Sequence, residues 1–499
     1  ELLDLFEHAS TFGSLIQVPA TFSQKLPELE SKLNTALESG DIFVQQSAHE
    51  LLPLVKQAKL LAQQYDAVIA NPPYMGGKGM NAALKDFAKK KFPDSKSDLF
   101  SMFIERGFAW CKNSGFNSMV TMQSWMFLSS YEVMREKLLQ DRTLSCMVHM
   151  GNGVMGIAFG TAATVMLNNH VNNYEGSFSY CENDDLSEYG IPKQFPVQNE
   201  RLKTAKPDDF KKIPGSPVAY WVSDSVREIF DISPSLSSIA ETRKGMVTGN
   251  NENYVRSWYE IKISNFGAAG YSRESAKSSG LKWFPYNKGG GFRKWYGNKI
   301  DVVNWQNDGA LLQSAKHPTE NRVWATNFNL DYIFKPNVNW GAVTSSDFSA
   351  RYSCGSELFD AGGSAAFTDN YPLMLLIAYL NSYVASYCLK TINPTLNFQA
   401  GNISNLPIKI MNSDTVTTYT SKLIDLSKTD WDSYEISWDF TENPIIRTGQ
   451  PNLEQAFNSW QQQNADAVAE MKRLEEENNK LFIDAYGLQD ELTPDVPDE

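Results

Sequence analysis

Asn71, Pro72, Pro73 and Tyr74 stand together at the end of a short apolar run, Asp66-Ala-Val-Ile-Ala70. These residue types suit methyl transfer to a planar amino nitrogen. The lone pair of an adenine N6 or a glutamine amide is delocalised, so the nitrogen must pyramidalise before it attacks a methyl sulfonium. The Asn71 side-chain oxygen and the Pro72 carbonyl, held rigidly, would accept the two N–H hydrogens as charge develops. The Tyr74 ring would give an extruded base a flat surface, in line with the methyl donor. Taken alone, the tetrapeptide is also readable as a plain turn between a strand and a loop.

Positioning such a group falls to the elements around it. The run before Asn71 is short, β-branched and almost continuously apolar, which predicts a strand buried on both faces of a parallel sheet. Two successive prolines remove two backbone donors and send the chain out at the strand's carboxyl end, where open α/β sheets bind ligands. Helical periods over 26–37 and 48–64 lead into that strand. Beyond the turn, the basic stretch 82–91 reads as a mobile cover or a DNA-facing segment. Residues 99–111 predict a helix with Phe100, Phe103, Ile104, Gly107 and Phe108 on its buried stripe. Strands are expected over 117–122, 144–150 and 163–167. Gly151, Gly153 and Gly156 match G-x-G-x-x-G, but a loop and another strand follow them instead of a helix. They predict a tight turn in which glycine supplies positive φ.

The residues over 71–107, NPPYMGGKGMN and then FPDSKSDLFSMFIERG, resemble the amino-methyltransferase motif and its downstream helix in the N6-adenine DNA methyltransferases. Among these, the likeness points to the PglX family of the BREX phage-defence system, and it extends more loosely over nearly the whole chain. The resemblance implies part of a Rossmann-like methyltransferase sheet, S-adenosylmethionine as methyl donor, adenine in duplex DNA as acceptor, and base flipping. It places Asn71, Asp98 and Leu99 near the cofactor and Phe159 opposite the flipped base, although Phe159 taken alone suits a core position equally. It also implies that the last two strands form an antiparallel hairpin at the sheet edge. The family's glycine-rich F-x-G-x-G turn has no counterpart over residues 1–66, and the chain does not begin with Met. The expectation is a piece of a longer protein that holds little of the cofactor by itself.

The chain has 499 residues, of which 42% are hydrophobic, enough for two or three domains with cores. It lacks a signal-peptide start and any apolar run of about eighteen residues, so no membrane is expected. Five separated cysteines without a C-x-x-C pair, and few histidines, give no metal site and suit a reduced cytoplasmic setting. The formal charge of −13 means that any DNA contact must come from local basic surface.

Four parts are expected: the C-terminal portion of the methyltransferase domain over 1–190, a proline-punctuated linker over 191–235, an α+β target-recognition domain over 236–411, and an acidic helical segment over 412–499. Residues 243–256 resemble the opening of recognition domains in single-chain restriction-modification enzymes. Residues 281–299 hold five basic residues, six aromatics and no acid, a mixture suited to phosphate and base contacts. Lys244, Lys282, Lys288, Arg293, Lys294 and Lys299 are the DNA-binding candidates, with Arg293 favoured for a base contact. Sheet elements are expected over 335–340 and 348–352, one apolar helix over 373–387, and a helix over 465–481 with Val468, Met471 and Leu474 on one stripe. The polar end of the chain is not expected to close a domain.

The expected partners are double-stranded DNA and other phage-defence components or phage inhibitor proteins. Two other readings stand beside DNA methylation. A glutamine-amide methyltransferase would use the same turn, but needs no long recognition module. A DNA-specificity or inhibitor-docking module would not methylate at all.

Overall fold

The apolar run before Asn71 forms strand β1 (Tyr65–Ala70) in the computed structural model, which describes residues 1–194, 197–344, 346–411 and 413–498. Contacts divide the chain into two units, Glu1–Ser223 and Asp224–Glu499. Among the described residues, the first unit holds one mixed sheet of six strands. These are β1, β2 (Cys111–Met122), β3 (Thr143–Met150), β4 (Thr161–Leu167), β5 (Gly176–Cys181) and β6 (Leu202–Ala205), in the order β1-β2-β4-β3-β5-β6. β1 and β2 run parallel, with Ala67 opposite Phe116 and Ala70 opposite Met119. The helix Leu99–Trp110 makes the crossover between them. Phe100, Ile104 and Phe108 of that helix join Met119, Met147, Met166 and Phe178 of the sheet in one apolar core.

Two details of the sheet differ from expectation. β1 is an end strand, and Ile69 on it is 81% exposed, so the strand is not buried on both faces. Its β-branched residues favour extended backbone whether or not a neighbour covers them. The β3–β4 hairpin is antiparallel as expected but lies inside the sheet, because β5 adds in parallel to β3 and β6 follows it. The turn joining β3 to β4 carries Gly153 at φ 86° and Gly156 at φ 73°, the left-handed conformation anticipated for these glycines.

Two segments expected to be loose are packed. The stretch 82–91 is the helix Ala82–Lys91, capped by the Asn81 side chain, which accepts from Leu84 N at 2.8 Å. Leu84 and Ala88 are buried against Leu15, Met80, Phe92 and Leu99, while the lysines face outward. The expected linker over 191–235 contributes β6 and the buried Phe210, Val218 and Tyr220 to the first unit's core. Proline punctuation sets its irregular path, but these aromatic and aliphatic side chains decide where it packs. Arg135 ties this segment down. Its guanidinium donates to Gly215 O at 2.9 Å, Ser216 O at 3.0 Å, Trp125 O at 2.8 Å and Leu128 O at 3.1 Å.

Among the described residues of the second unit, two four-stranded sheets are built from short strands: β7 (Glu241–Arg243), β8 (Val255–Ser257), β9 (Trp283–Asn287), β10 (Asp301–Asn304), β11 (Asn337–Trp340), β12 (Ala350–Ser353), β13 (Leu358–Phe359) and β14 (Ala365–Phe367). Their orders are β13-β9-β10-β8 and β12-β11-β14-β7. The apolar stretch beginning at Leu373 is two helices, Leu373–Leu380 and Tyr383–Ile392, bent by 65°. Asn381 makes the break. Its amide bonds both backbone groups of Ala350, at 2.8 and 3.0 Å, and Ser382 then caps the second helix. No single helix among the described residues is long and apolar enough to cross a membrane.

The segment over 412–499 packs into this same unit. Its long helix Leu453–Tyr486 buries Leu474, Asn478, Phe482 and Tyr486, whereas Val468 of the expected stripe is 66% exposed. Asn478 Nδ2 donates to Ala378 O at 3.0 Å and the Tyr486 hydroxyl to Pro407 O at 3.0 Å. The polar residues after this helix return along it, with Asn479 Nδ2 donating to Pro494 O at 3.2 Å.

Replacing Arg135 by Met leaves several buried carbonyls without a donor. Arg135→Met is expected to lower the stability of the first unit by roughly 3 kcal/mol, read as a reduced urea midpoint. Lys137→Met, at an exposed position of the helix Glu132–Asp141 that carries Arg135, is the control and is expected to shift it little.

Candidate active site

β1 delivers Asn71 to the carboxyl end of the sheet, where Asn71 and Pro73 are exposed and Pro72 is buried. The Tyr74 hydroxyl lies 3.3 Å from Asn71 Oδ1 and 3.2 Å from Val120 O on β2. It has one hydrogen to share between these two acceptors. Burial raises the phenol's pKa, which keeps that hydrogen in place at neutral pH. The Tyr74 ring meets Phe100 edge-on at 6.1 Å and 89°, and Phe159 at 5.7 Å and 67°. Phe159 is 38% exposed, so it lines an open surface beside Tyr74 and is not a core residue.

The turn after Tyr74 is fastened by Asp98. One carboxylate oxygen caps the helix Leu99–Trp110 by accepting from Phe100 N at 3.3 Å, and the same oxygen accepts from Met75 N at 2.8 Å. Leu99 N donates to Met75 O at 3.2 Å, and Gly77 N to Ser97 O at 3.2 Å. Burial pushes the Asp98 carboxyl's pKa up, against the lowering effect of these backbone bonds. Leu99 sits in the cluster with Leu15, Met80, Leu84 and Met102. The structure therefore gives both residues work in shaping the turn that presents Asn71.

A polar cluster under the β3–β4 turn has no sequence signal. His149, on β3, is buried, with Nε2 at 2.6 Å from Gln123 Oε1 and Nδ1 at 3.1 Å from the Tyr220 hydroxyl. Both ring nitrogens thus have a hydrogen-bond partner, one donating and one accepting in the neutral imidazole. Tyr180 and Trp221 complete the surroundings. Partners 26 and 71 positions away in sequence cannot be paired by inspection.

The six DNA-binding candidates all lie in the second unit. Lys244 is exposed, Lys282 lies over the Trp283 ring at 5.1 Å, and Lys288 is 4.0 Å from Asp301. The other three make closer ion pairs within the protein. Arg293 pairs with Asp430, donates from Nε to Tyr296 O at 2.9 Å and lies over the Trp431 ring at 5.2 Å. Lys294 pairs with Glu475 at 2.8 Å, and Trp295 Nε1 donates to that same carboxylate at 2.6 Å. Lys299 pairs with the buried Glu357 at 3.2 Å. Trp283, Phe284, Tyr286 and Trp295 are buried. Much of the segment's basic and aromatic character thus builds the unit, because acids from distant parts of the chain meet it in space.

The exposed Asn-Pro-Pro-Tyr turn at the carboxyl end of β1 and the aromatic rings beside it make up the candidate site. Residues 13–155 match the family model described as Eco57I restriction-modification methylase. The likeness to the PglX family holds along the chain. It is 38% identical over 98% of its length to the adenine-specific methyltransferase BrxX of Escherichia coli O9:H4 (strain HS), and 37% identical over 100% to the adenine-specific methyltransferase PglX of Lacticaseibacillus casei (strain Zhang). It spans 40% and 43% of these two proteins, about two fifths of their length. Among solved structures, it is similar to the Type IIL restriction-modification enzyme MmeI in complex with DNA, with a TM-score of 0.47 and 10% identity over 87% of this chain and 55% of that one.

Burial lowers the pKa of His149 to about 4, from an ordinary 6.5. The unfolded chain therefore binds the proton more readily, and folding stability is complete above about pH 6.5 and lost as pH falls through about 4. The loss amounts to at most about 3 kcal/mol. Urea unfolding of wild type and His149→Phe at pH 7.5 and 5 is expected to show a smaller acid loss in the variant.

Proposed function

We propose that the protein transfers a methyl group from S-adenosylmethionine to adenine N6 in duplex DNA, after flipping the base out of the helix, as part of a bacterial phage-defence system. The observation that carries this reading is the exposed Asn71 at the carboxyl end of β1, with the rings of Tyr74 and Phe159 beside it. The names of the two relatives, both adenine-specific methyltransferases, support adenine over a glutamine amide as acceptor.

Asn71 Oδ1 and the Pro72 carbonyl accept hydrogen bonds from the two amino N–H groups and favour the tetrahedral nitrogen in the transition state. Tyr74 and Phe159 hold the flipped base by stacking and edge contacts. S-adenosylmethionine supplies the electrophilic methyl. The residues present suit one rim of its pocket: Asn71 is exposed toward solvent, and Asp98 with Leu99 shape that rim through the turn they fasten. The second unit is assigned target recognition, with Lys244, Lys282 and Lys288 as the first candidates for phosphate contact. Arg293, Lys294 and Lys299 enter such contacts only by leaving the ion pairs they make with Asp430, Glu475 and Glu357. DNA is the partner this assignment requires, other defence components or phage inhibitors are further partners, and the setting is cytoplasmic.

Asn71→Ala in the full-length protein is expected to cut adenine methylation by about two to three orders of magnitude, with duplex binding within a few-fold of wild type. Methylation at the wild-type rate would overturn the assignment. Lys282→Ala and Lys288→Ala are each expected to weaken binding to all duplexes alike and to reduce the salt dependence by about one counterion. Lys294→Ala, whose charge is paired, is expected to lower the second unit's thermal midpoint and leave that salt dependence unchanged.

A further inference from the structure

The carboxyl end of β2 supports both rings of the proposed base cleft. Val120 O is one of two acceptors for the Tyr74 hydroxyl, at 3.2 Å. Three residues later, Gln123 opens the turn Gln123–Met126, and its backbone N–H donates to Gly160 O at 3.0 Å. Gly160 directly follows Phe159. The Gln123 side chain lies against Gly160 so closely that a Cβ there would sit 2.3 Å from Gln123 Cδ and 2.4 Å from Oε1. Its oxygen is in turn held by His149 Nε2 at 2.6 Å, and His149 by Tyr220, whose ring stacks on Phe178 at 5.0 Å and 10°.

We propose that Gln123 is a positioning residue: clamped between His149 and Gly160, it fixes the turn that carries Phe159 and so sets how the Phe159 ring meets Tyr74, the two rings together forming the wall against which a planar base is held. The proposal rests on the reading of this site as the place where the flipped adenine is held. Several features of the cluster suit the task. An amide is long enough to span from the end of β2 to β3, and both ends of its path are pinned, one by a backbone bond and one by a buried ring. His149 stays neutral at physiological pH, which keeps the bond's polarity fixed. Gly160 has no positive φ, so glycine is needed there for room and not for backbone conformation.

The turn has a second anchor at its other end, where Gly151 N donates to Cys181 O at 2.9 Å. Phe159 lies beside the Gln123 end, so loss of this clamp would alter the ring's placement while the far end stays seated.

The test uses the full-length protein with two duplexes: the unmodified target, for kcat and KM, and one with 2-aminopurine in place of the target adenine, whose fluorescence rises on flipping. Gln123→Ala is expected to lower kcat by about tenfold or more, to reduce the fluorescence rise, and to leave the KM for duplex within about threefold at a temperature where the variant is fully folded. A Cβ at Gly160 meets the Gln123 amide first, so Gly160→Ala is expected to give the same pattern if Gln123→Ala fails to fold. The double variant is expected to be no worse than either single one, since both changes disable one device. Wild-type kcat and fluorescence in Gln123→Ala would overturn the proposal. So would recovery of activity in the double variant, which would mean that Gly160→Ala acts by a clash alone. If the wild-type protein neither methylates nor flips, and Asn71→Ala changes nothing, the functional reading itself fails. If Tyr74→Ala abolishes the fluorescence rise while Gln123→Ala and Gly160→Ala do not, that reading stands and the positioning role is lost.

Discussion

One carboxylate oxygen decides the shape of the candidate site. Asp98 Oδ1 receives Met75 N from the turn after Tyr74 and Phe100 N from the first turn of the crossover helix. A buried carboxylate is costly unless backbone donors face it, and here two of them do. Because the same oxygen serves both, the turn is held to the start of the helix, and moving it away would strand Met75 N. That helix carries Phe100 and Ile104 into the core of the sheet, so the presentation of Asn71 is coupled to the packing of the whole unit. A turn with two prolines is stiff by itself, but stiffness sets only its local geometry. The carboxylate sets where it lies.

In the second unit, charge is spent inward. A chain with a formal charge of −13 has more acids than bases, and Glu475, Glu357 and Asp430 hold three of the basic residues that the segment over 281–299 contributes. Lys294 and Glu475 are both largely buried, so removing either would leave a charge without its partner, a larger cost than the pair itself contributes. Such pairs fix the arrangement of strand and helix. They also leave Lys244, Lys282 and Lys288 with the looser attachments, which is where a phosphate would compete with least loss.

What could be read in the sequence was local. The strand before Asn71, the helix after Asp98, the β3–β4 hairpin and the positive φ of Gly153 each depend on a few adjacent residues, and each was legible. What was not legible depends on distance in the chain. Ile69 looks like a core residue because β-branched runs favour strands, yet its burial depends on which neighbour the strand receives. The stretch over 191–223 reads as a linker because proline breaks its periodicity, while Phe210 and Tyr220 take it into the core. The helix expected over 373–387 breaks at Asn381 because that amide satisfies both backbone groups of Ala350 on β12. In residues 281–299, which of the basic side chains are tied up within the protein cannot be read until their acidic partners, some 60 to 180 positions away, are known. At the site, Asn71 and Tyr74 were legible as a motif. Gln123 and His149 were not, since neither residue type carries a signal without the other beside it.

The Tyr74 hydroxyl stands between two acceptors of nearly equal distance, Val120 O at 3.2 Å and Asn71 Oδ1 at 3.3 Å. A single hydrogen shared in this way satisfies neither fully. In the proposed reaction, an incoming amino group needs the Asn71 oxygen for itself. If Asn71 were the hydroxyl's only partner, that approach would strand a partly buried phenol, at a cost of about 1–3 kcal/mol. With Val120 O already in range, the hydrogen can turn wholly to the strand as the amino group arrives, and the oxygen is released with no group left unpaired. A ring held by the sheet on one side and by Phe100 on another also keeps its plane while its hydroxyl changes partner. The same tyrosine can therefore guard the acceptor before the base enters and stack on the base afterwards, without having to move between the two tasks.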